Sequence, residues 1–451
     1  MSGQIKDTVE ERFGMYDSRQ RAAVESILDE WNSDEGDFIF PIVDGPPGTG
    51  KTSVGTIAAA KHLLENRHGQ VAYLCYTHFA IERAQKDLFS YGFPKDKAVE
   101  LHYDRKKTDW KRGIYGCDSE LKCASFNDKR LLKECGVLLC TLHGSRRAFN
   151  HDIRTRPKIL IDEFSQVSTP MFFSVLHKVF AEKNNPSGYA LLGDPIQLPV
   201  ISTQPTLRPN IGIFIMQRKP YEPHRLVIQH RMHEDICETV NSLREVYHAY
   251  RIENGSDVRD RNLSKLGYTF DQSANPTDLG DILDPEKPLV LINTDQCGPE
   301  GRIFGGSVMN PGESKLAAKI AVALHSSYKD QTSKPLEPWI LSPYTAQVGD
   351  IRQRLPSSLR SNCITIYRSQ GREYPCVIIS FTRNNEEGNI GFLGGLDSEL
   401  KERAREQTYV GCSRAQGKLL LLFSFKTFLG HGYPEFEALV NTENANVIDR
   451  L

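Results

Sequence analysis

Gly45-Pro46-Pro47-Gly48-Thr49-Gly50-Lys51-Thr52 is a complete G-x-x-x-x-G-K-[ST] run, and its flanks decide the fold. Upstream, Phe38-Ile39-Phe40-Pro41-Ile42-Val43 reads as a short buried strand. Downstream, Ser53 to Glu65 carries Ala58, Ala59, Ala60, Leu63 and Leu64, all good helix formers. Strand, glycine loop and helix in that order set backbone N–H groups and a helix N-terminus around a polyphosphate. Lys51 is expected to reach the β- and γ-phosphates, Thr52 to offer its hydroxyl to Mg²⁺, and Ser53 to close the cradle. Average residue usage would produce this pattern by accident in about one chain in a hundred of this length.

The composition narrows the class. A chain of 451 residues, 25% charged and 39% apolar, has the length of roughly three domain-sized units and an ordinary globular balance. Its net charge of −1 supplies no global basic field, so a nucleic-acid site would have to be a local groove. The polar N-terminus, MSGQIKDTVEERFGMYD, lacks the apolar core of a secretory signal. Apolar runs such as Leu419–Phe423 are too short to span a bilayer. No membrane partner is therefore expected. Ten cysteines are scattered without a C-x-x-C pair, which argues for a reducing, intracellular compartment and against a zinc domain or a disulfide framework.

Apolar runs alternate with amphipathic segments, the signature of parallel α/β sheets. One series of candidate strands is Phe38–Val43, Val71–Tyr76, Val137–Thr141, Lys158–Asp162 and Tyr189–Gly193. A second is Leu289–Asn293, Trp339–Ser342, Cys363–Tyr367, Val377–Thr382 and Leu419–Phe423, with helices such as Glu313–Ser326 and Ala346–Leu355 between them. Two doubly wound sheets in tandem follow, the first over residues 1–215 and the second over 216–451. Gly92–Cys135 interrupts the first with basic and aromatic residues, among them Arg105, Lys106, Lys107 and Trp110. Such a mixture suits stacking on bases and phosphate contacts, and equally a plain solvated insertion. Ser256–Pro288 interrupts the second and reads as a polar surface loop.

A phosphate loop alone serves many chemistries. Ile159-Leu160-Ile161 ends in Asp162 and Glu163, about a hundred residues after the loop. The first acid can hold Mg²⁺ and the second can orient or deprotonate an attacking water, which favours ATP hydrolysis over transfer to a bound acceptor. A phosphate-loop small-molecule kinase is the less economical alternative.

The following motifs resemble those of superfamily 1 (subclass B) helicases, the group of the nonsense-mediated-decay RNA helicase and senataxin. Asp162-Glu163-Phe164-Ser165-Gln166 is similar to DEASQ, and Gly193-Asp194-Pro195-Ile196-Gln197-Leu198-Pro199 to GDPxQLP. Gln229-His230-Arg231-Met232-His233 resembles QYRMH. Thr365-Ile366-Tyr367-Arg368-Ser369-Gln370-Gly371-Arg372-Glu373 resembles TVDxFQGxE, and Tyr409-Val410-Gly411-Cys412-Ser413-Arg414-Ala415 resembles NVALTRA. Gln20 matches the adenine-reading glutamine ahead of the phosphate loop. The resemblance spans Ser18 to Phe425 and implies two tandem RecA-like domains with ATP hydrolysed at their interface. It further implies that Gln197 senses the γ-phosphate and that Arg231 and Arg414 are arginine fingers. Glu373 would contact the ribose region, and His230 would stack on adenine where the family has a tyrosine.

The resemblance also implies a single-stranded RNA or DNA partner, contacted by Thr77 and His78, Thr141, Pro343 and Tyr344, and Thr365 at strand ends. Read as residues alone, each of these is as well explained as a strand terminus or helix cap. The implied activity is an ATP-dependent helicase or translocase moving 5′ to 3′, cytoplasmic or nuclear. The rival is an ATP-switched scaffold that remodels protein–RNA complexes without unwinding.

Overall fold

The computed structural model describes residues 3–33, 40–102, 123–125, 129–148, 157–183, 188–198, 210–218, 222–271, 273, 279–302, 307–391 and 406–449. Expectations that rest on Arg105, Lys106 and Lys107 lie outside the described residues, as do Phe38, Ile39 and Pro199. The chain divides into two units, Met1–Val227 and Ile228–Leu451.

Among the described residues the first unit is built on eight strands: β1 (Ile42–Asp44), β2 (Val71–Cys75), β3 (Ala98–His102), β4 (Cys123–Ser125), β5 (Val137–Thr141), β6 (Lys158–Asp162), β7 (Tyr189–Gly193) and β8 (His224–Arg225). They lie in the order β4-β3-β5-β2-β6-β7-β1-β8, and every neighbouring pair is parallel. Parallel strands covered on both faces need apolar residues at consecutive positions, and VAYLC in β2 is buried throughout. Val71, Tyr73 and Cys75 enter one core with the helices Ser18–Asn32, Lys51–Glu65 and His78–Ser90. Ala72 and Leu74 enter the opposite core with Phe172 and Val175 of Thr169–Lys183. Because all strands run one way, their carboxyl ends share one edge. The loop after β1 therefore meets the ends of β7 and, one strand further, β6.

The second unit carries a parallel sheet of β9 (Leu289–Asn293), β10 (Trp339–Ser342), β11 (Cys363–Thr365), β12 (Tyr374–Ser380), β13 (Ala415–Phe423) and β14 (Asn446–Ile448). Their spatial order is β11-β10-β12-β13-β9-β14. Both units are thus α/β with mainly parallel, doubly wound sheets of the RecA-like kind.

Several strand ends differ from the sequence expectation. The first strand starts at Ile42, after Pro41, which lacks an N–H and uses its carbonyl to accept from Leu191 N at 2.9 Å. The expected Cys363–Tyr367 strand stops at Thr365 and turns into a 3-10 segment, Ile366–Ser369, where Ser369 Oγ donates to Ile366 O at 2.6 Å. The units part after Val227 because β8 pairs with β1 and Leu226 N donates to Asp44 O at 2.9 Å. Expectation placed that division at 215/216.

Ser256–Pro288 is more than a surface loop. Val258, Leu263, Leu279, Ile282 and Leu283 are buried, and Tyr268–Phe270 pairs antiparallel with Tyr328–Asp330. Its polar turns hid the apolar residues spaced between them.

One carboxylate organises the second sheet. Glu313, in the first turn of Pro311–Ser327, is fully buried. Its Oε1 accepts from Ser380 Oγ (2.6 Å) and Thr382 N (2.8 Å), and its Oε2 from Thr294 Oγ1 (3.0 Å). Gln347 joins the network, donating to Ser380 Oγ at 2.8 Å and accepting from Asn310 N at 2.7 Å. Burial outweighs these hydrogen bonds and pushes the Glu313 carboxyl from 4.5 up to about 7. A folded-state value above the unfolded one means the native state holds its proton longer. The associated stability is complete below about 4.5 and is lost as pH rises through about 7. Glu313→Gln should flatten that dependence, which is on the order of 3 kcal/mol in full. Urea denaturation of the second unit at about pH 5 and about pH 8 measures it.

Candidate nucleotide site

The phosphate loop is shaped by what cannot carry a side chain. Gly48 and Gly50 sit at φ 84° and 86°, in the left-handed region. A Cβ on Gly45 would lie 2.4 Å from Lys51 Cγ, and one on Gly50 would lie 2.7 Å from Gln20 Nε2. Lys51 is nearly buried, and its ammonium donates to the Gly45 carbonyl and to Pro46 O at 3.4 Å. Gln20 belongs to the helix Ser18–Asn32, where it forms a capping box with Asp17. Its Nε2 donates to Thr49 O at 3.1 Å. The expected adenine-reading amide therefore also braces the loop.

Asp162, at the end of β6, is entirely buried. Its Oδ2 accepts from Tyr73 Oη at 2.9 Å and Thr52 Oγ1 at 3.1 Å, and its Oδ1 accepts from Glu163 N at 2.9 Å. Burial first, and Glu163 second, push its carboxyl up to about 6, against the pull of Lys51 and the Tyr73 hydroxyl. Glu163 follows at φ 59°, a strained conformation for a non-glycine residue. Its Oε2 is buried without a hydrogen-bond partner, as is Gln197 Oε1 beyond β7. Gln197 Nε2 is turned to Asp194 Oδ2 at 3.5 Å.

These residues fit a polyphosphate and a divalent cation. The glycine cradle admits no Cβ, Lys51 has only carbonyls as hydrogen-bond acceptors, and Thr52 shares Asp162 Oδ2. Glu163 Oε2 and Gln197 Oε1 are acceptors, the polarity that holds a water by its hydrogens. Lys51, Asp162, Glu163 and Gln197 come to one sheet edge because β1, β6 and β7 are near neighbours.

Phe164 replaces the smaller residue of the resembled motif, and the chain makes room for it. A Cβ on Gly193 would lie 2.6 Å from the Phe164 ring, and one on Gly212 would lie 2.1 Å from it.

In the second unit three motif residues converge. Arg231 Nε donates to Glu373 Oε2 at 2.8 Å, and its Nη1 to Ser413 O at 3.1 Å. Arg414 donates to Val410 O (2.9 Å), Arg372 O (3.1 Å) and Ser413 Oγ (2.9 Å). Glu373, expected near the ribose, is thus the carboxylate that holds Arg231. His230 is half exposed, with Nδ1 2.7 Å from Asp257 Oδ1. Gly255 lies against its ring, where a Cβ would stand 2.6 Å from Nδ1.

The residues expected to meet nucleic acid all sit at strand carboxyl ends. Thr77 Oγ1 accepts from Ala80 N at 3.3 Å and Thr141 Oγ1 from Gly144 N at 3.1 Å, so both hydroxyls cap the next turn. His78 Nδ1 lies 2.9 Å from Oε1 of Glu100, a fully buried carboxylate absent from the sequence reading. Tyr344, after Pro343, is buried and donates to Ile390 O at 3.1 Å. Thr365 ends β11. Tyr73 is the site residue that motif reading missed. Its only signal was a polar-tipped aromatic inside an apolar strand.

Two protein-family models, each described as an AAA domain, match residues 39–203 and 214–422. DNA replication ATP-dependent helicase/nuclease DNA2 of Mus musculus is 28% identical over 442 residues, 93% of this chain and 38% of that protein. Regulator of nonsense transcripts 1 homolog of Arabidopsis thaliana is 24% identical over 436 residues, 86% of this chain and 32% of that protein. Both relatives align over more than four fifths of this chain. These similarities do not single out the decay-helicase and senataxin group, since the replication helicase/nuclease matches at higher identity. The chain spans about two fifths of the length of the first relatives it matches. The crystal structure of DUF1998 helicase MrfA bound to DNA aligns with a TM-score of 0.48 at 9% identity, covering 99% of this chain and 52% of that one. No described helix is long and apolar enough to cross a membrane.

Gly212→Ala should destabilise the first unit by about 1–3 kcal/mol through collision with Phe164, although alanine favours a helix. Adding Phe164→Ala should make the glycine substitution harmless. Denaturation midpoints of the four proteins in this cycle give the coupling.

Proposed function

We propose that the chain is the motor core of an ATP-dependent nucleic-acid helicase or translocase. What carries this reading is the pole around Asp162. A buried carboxylate bonded to the Thr52 hydroxyl sits next in sequence to Glu163, whose free acceptor oxygen has a counterpart in Gln197. ATP is the nucleotide, with Mg²⁺ as its counter-ion held by Thr52 and Asp162, and Lys51 and the loop amides bind the phosphates. When bound, the cation neutralises phosphate charge. Glu163 orients and deprotonates the attacking water, and Gln197 registers the γ-phosphate.

In this reading Arg231 and Arg414 neutralise charge that develops on the transferred phosphate. Their fixed partners, Glu373, Ser413 and the carbonyls of Val410 and Arg372, pre-set the guanidiniums so that little ordering is needed at the reaction. Gln20 and His230 take the base, and Glu373 acts through Arg231. Thr77, His78, Thr141, Pro343, Tyr344 and Thr365 line the path of a single strand, RNA or DNA, read through its backbone. Movement 5′ to 3′ and a nuclear or cytoplasmic setting go with this reading.

Hydrolysis should rise when single-stranded RNA or DNA is added, and a duplex-unwinding assay separates a helicase from an ATP-driven switch. Glu163→Gln should keep ATP binding and lose turnover. Arg231→Ala and Arg414→Ala should each cut hydrolysis about a thousandfold, or about 4 kcal/mol, with a much smaller loss of ATP affinity. Normal turnover in both arginine variants at saturating single strand would overturn the motor reading.

A further inference from the structure

We propose that Tyr73 is a positioning residue of the nucleotide site, its hydroxyl orienting the Asp162 carboxylate to hold a divalent cation beside Thr52. This rests on the nucleotide-site reading above and adds a residue to it. Tyr73 lies in the middle of β2, pairs in register with Leu160 of β6 and is wholly buried. From there its hydroxyl reaches the end of the neighbouring strand and donates to Asp162 Oδ2 at 2.9 Å. Thr52 Oγ1 uses the same oxygen at 3.1 Å, while Glu163 N holds Oδ1 at 2.9 Å. Both carboxylate oxygens are therefore fixed, and its plane is set from β2, from β6 and from the phosphate-loop helix.

Packing alone does not account for a tyrosine here. A leucine or valine would fill an apolar strand without burying a hydroxyl that costs free energy unless bonded. The helix Lys51–Glu65 gives the phenol its space through Gly55. A Cβ there would lie 3.1 Å from Tyr73 Oη, 3.3 Å from its Cε2 and 3.2 Å from Leu160 Cδ1. A glycine inside a helix is itself unfavourable, so the chain accepts a local cost where the hydroxyl must pass. Groups that orient a metal-holding side chain set its affinity, and losing one typically weakens the metal about 10–100-fold.

The test is binding of N-methylanthraniloyl ADP to the full chain, titrated with Mg²⁺ and repeated in EDTA. Tyr73→Phe keeps the ring and should raise the Mg²⁺ concentration at half-saturation about tenfold or more, leaving affinity in EDTA unchanged. Gly55→Ala, which pushes on the hydroxyl, should shift the same quantity in the same direction. In the Tyr73→Phe background it should add little, because both act through one oxygen. A purely structural tyrosine would lower the melting temperature and leave the Mg²⁺ half-saturation alone, and that result overturns the proposal. If Tyr73→Phe does not fold, an unchanged Mg²⁺ dependence in Gly55→Ala overturns it equally. Wild-type chain that binds the nucleotide without any Mg²⁺ dependence overturns the underlying site reading and this proposal together.

Discussion

A carboxylate taken wholly out of water is the constraint on which the first unit turns. Asp162 remains tolerable there because Tyr73, Thr52 and the Glu163 amide each give it a donor. Each donor arrives from a different element, so the hydrogen bonds hold only if β2, β6 and the phosphate-loop helix keep their spacing. That spacing in turn depends on glycines. Gly55 lets the helix approach Tyr73, and Gly193 and Gly212 admit the ring of Phe164 next to the two acids. The site and the core are the same packing problem.

The second unit solves a similar problem with different groups. Glu313 ties the ends of β9 and β12 and the start of a helix through neutral donors, so burial dominates and its proton is held to unusually high pH. Arg231 and Arg414 are buried with their charge met by Glu373 and by backbone carbonyls. Carbonyl and carboxylate partners hold each guanidinium in a fixed orientation.

Much of this was legible along the chain. Lys158–Asp162, Tyr189–Gly193, Leu289–Asn293 and Trp339–Ser342 are strands with the ends expected from their apolar runs. Fully buried parallel strands announce themselves by composition, and the phosphate loop announces itself by its glycines. Legibility failed where partners are remote in sequence. Ser256–Pro288 looked polar because buried apolar residues such as Val258, Leu263 and Leu279 are separated by polar stretches, and a local average sees only the mean. The motif that assigned Glu373 to the ribose region gave no sign that one of its carboxylate oxygens accepts from Arg231, 142 positions away.

The sequence by itself determined the two α/β units, the order of their motifs and the chemical type of each loop, because periodicity and turn chemistry are local properties. Tertiary structure alone decided which side chains meet at the strand ends. Alternating apolar runs are compatible with many parallel strand orders, and only the order β2-β6-β7-β1 sets Tyr73 against Asp162 and brings Gln197 to the phosphate loop. A hydrogen bond needs its donor within about 3 Å. No local pattern specifies a distance across neighbouring strands.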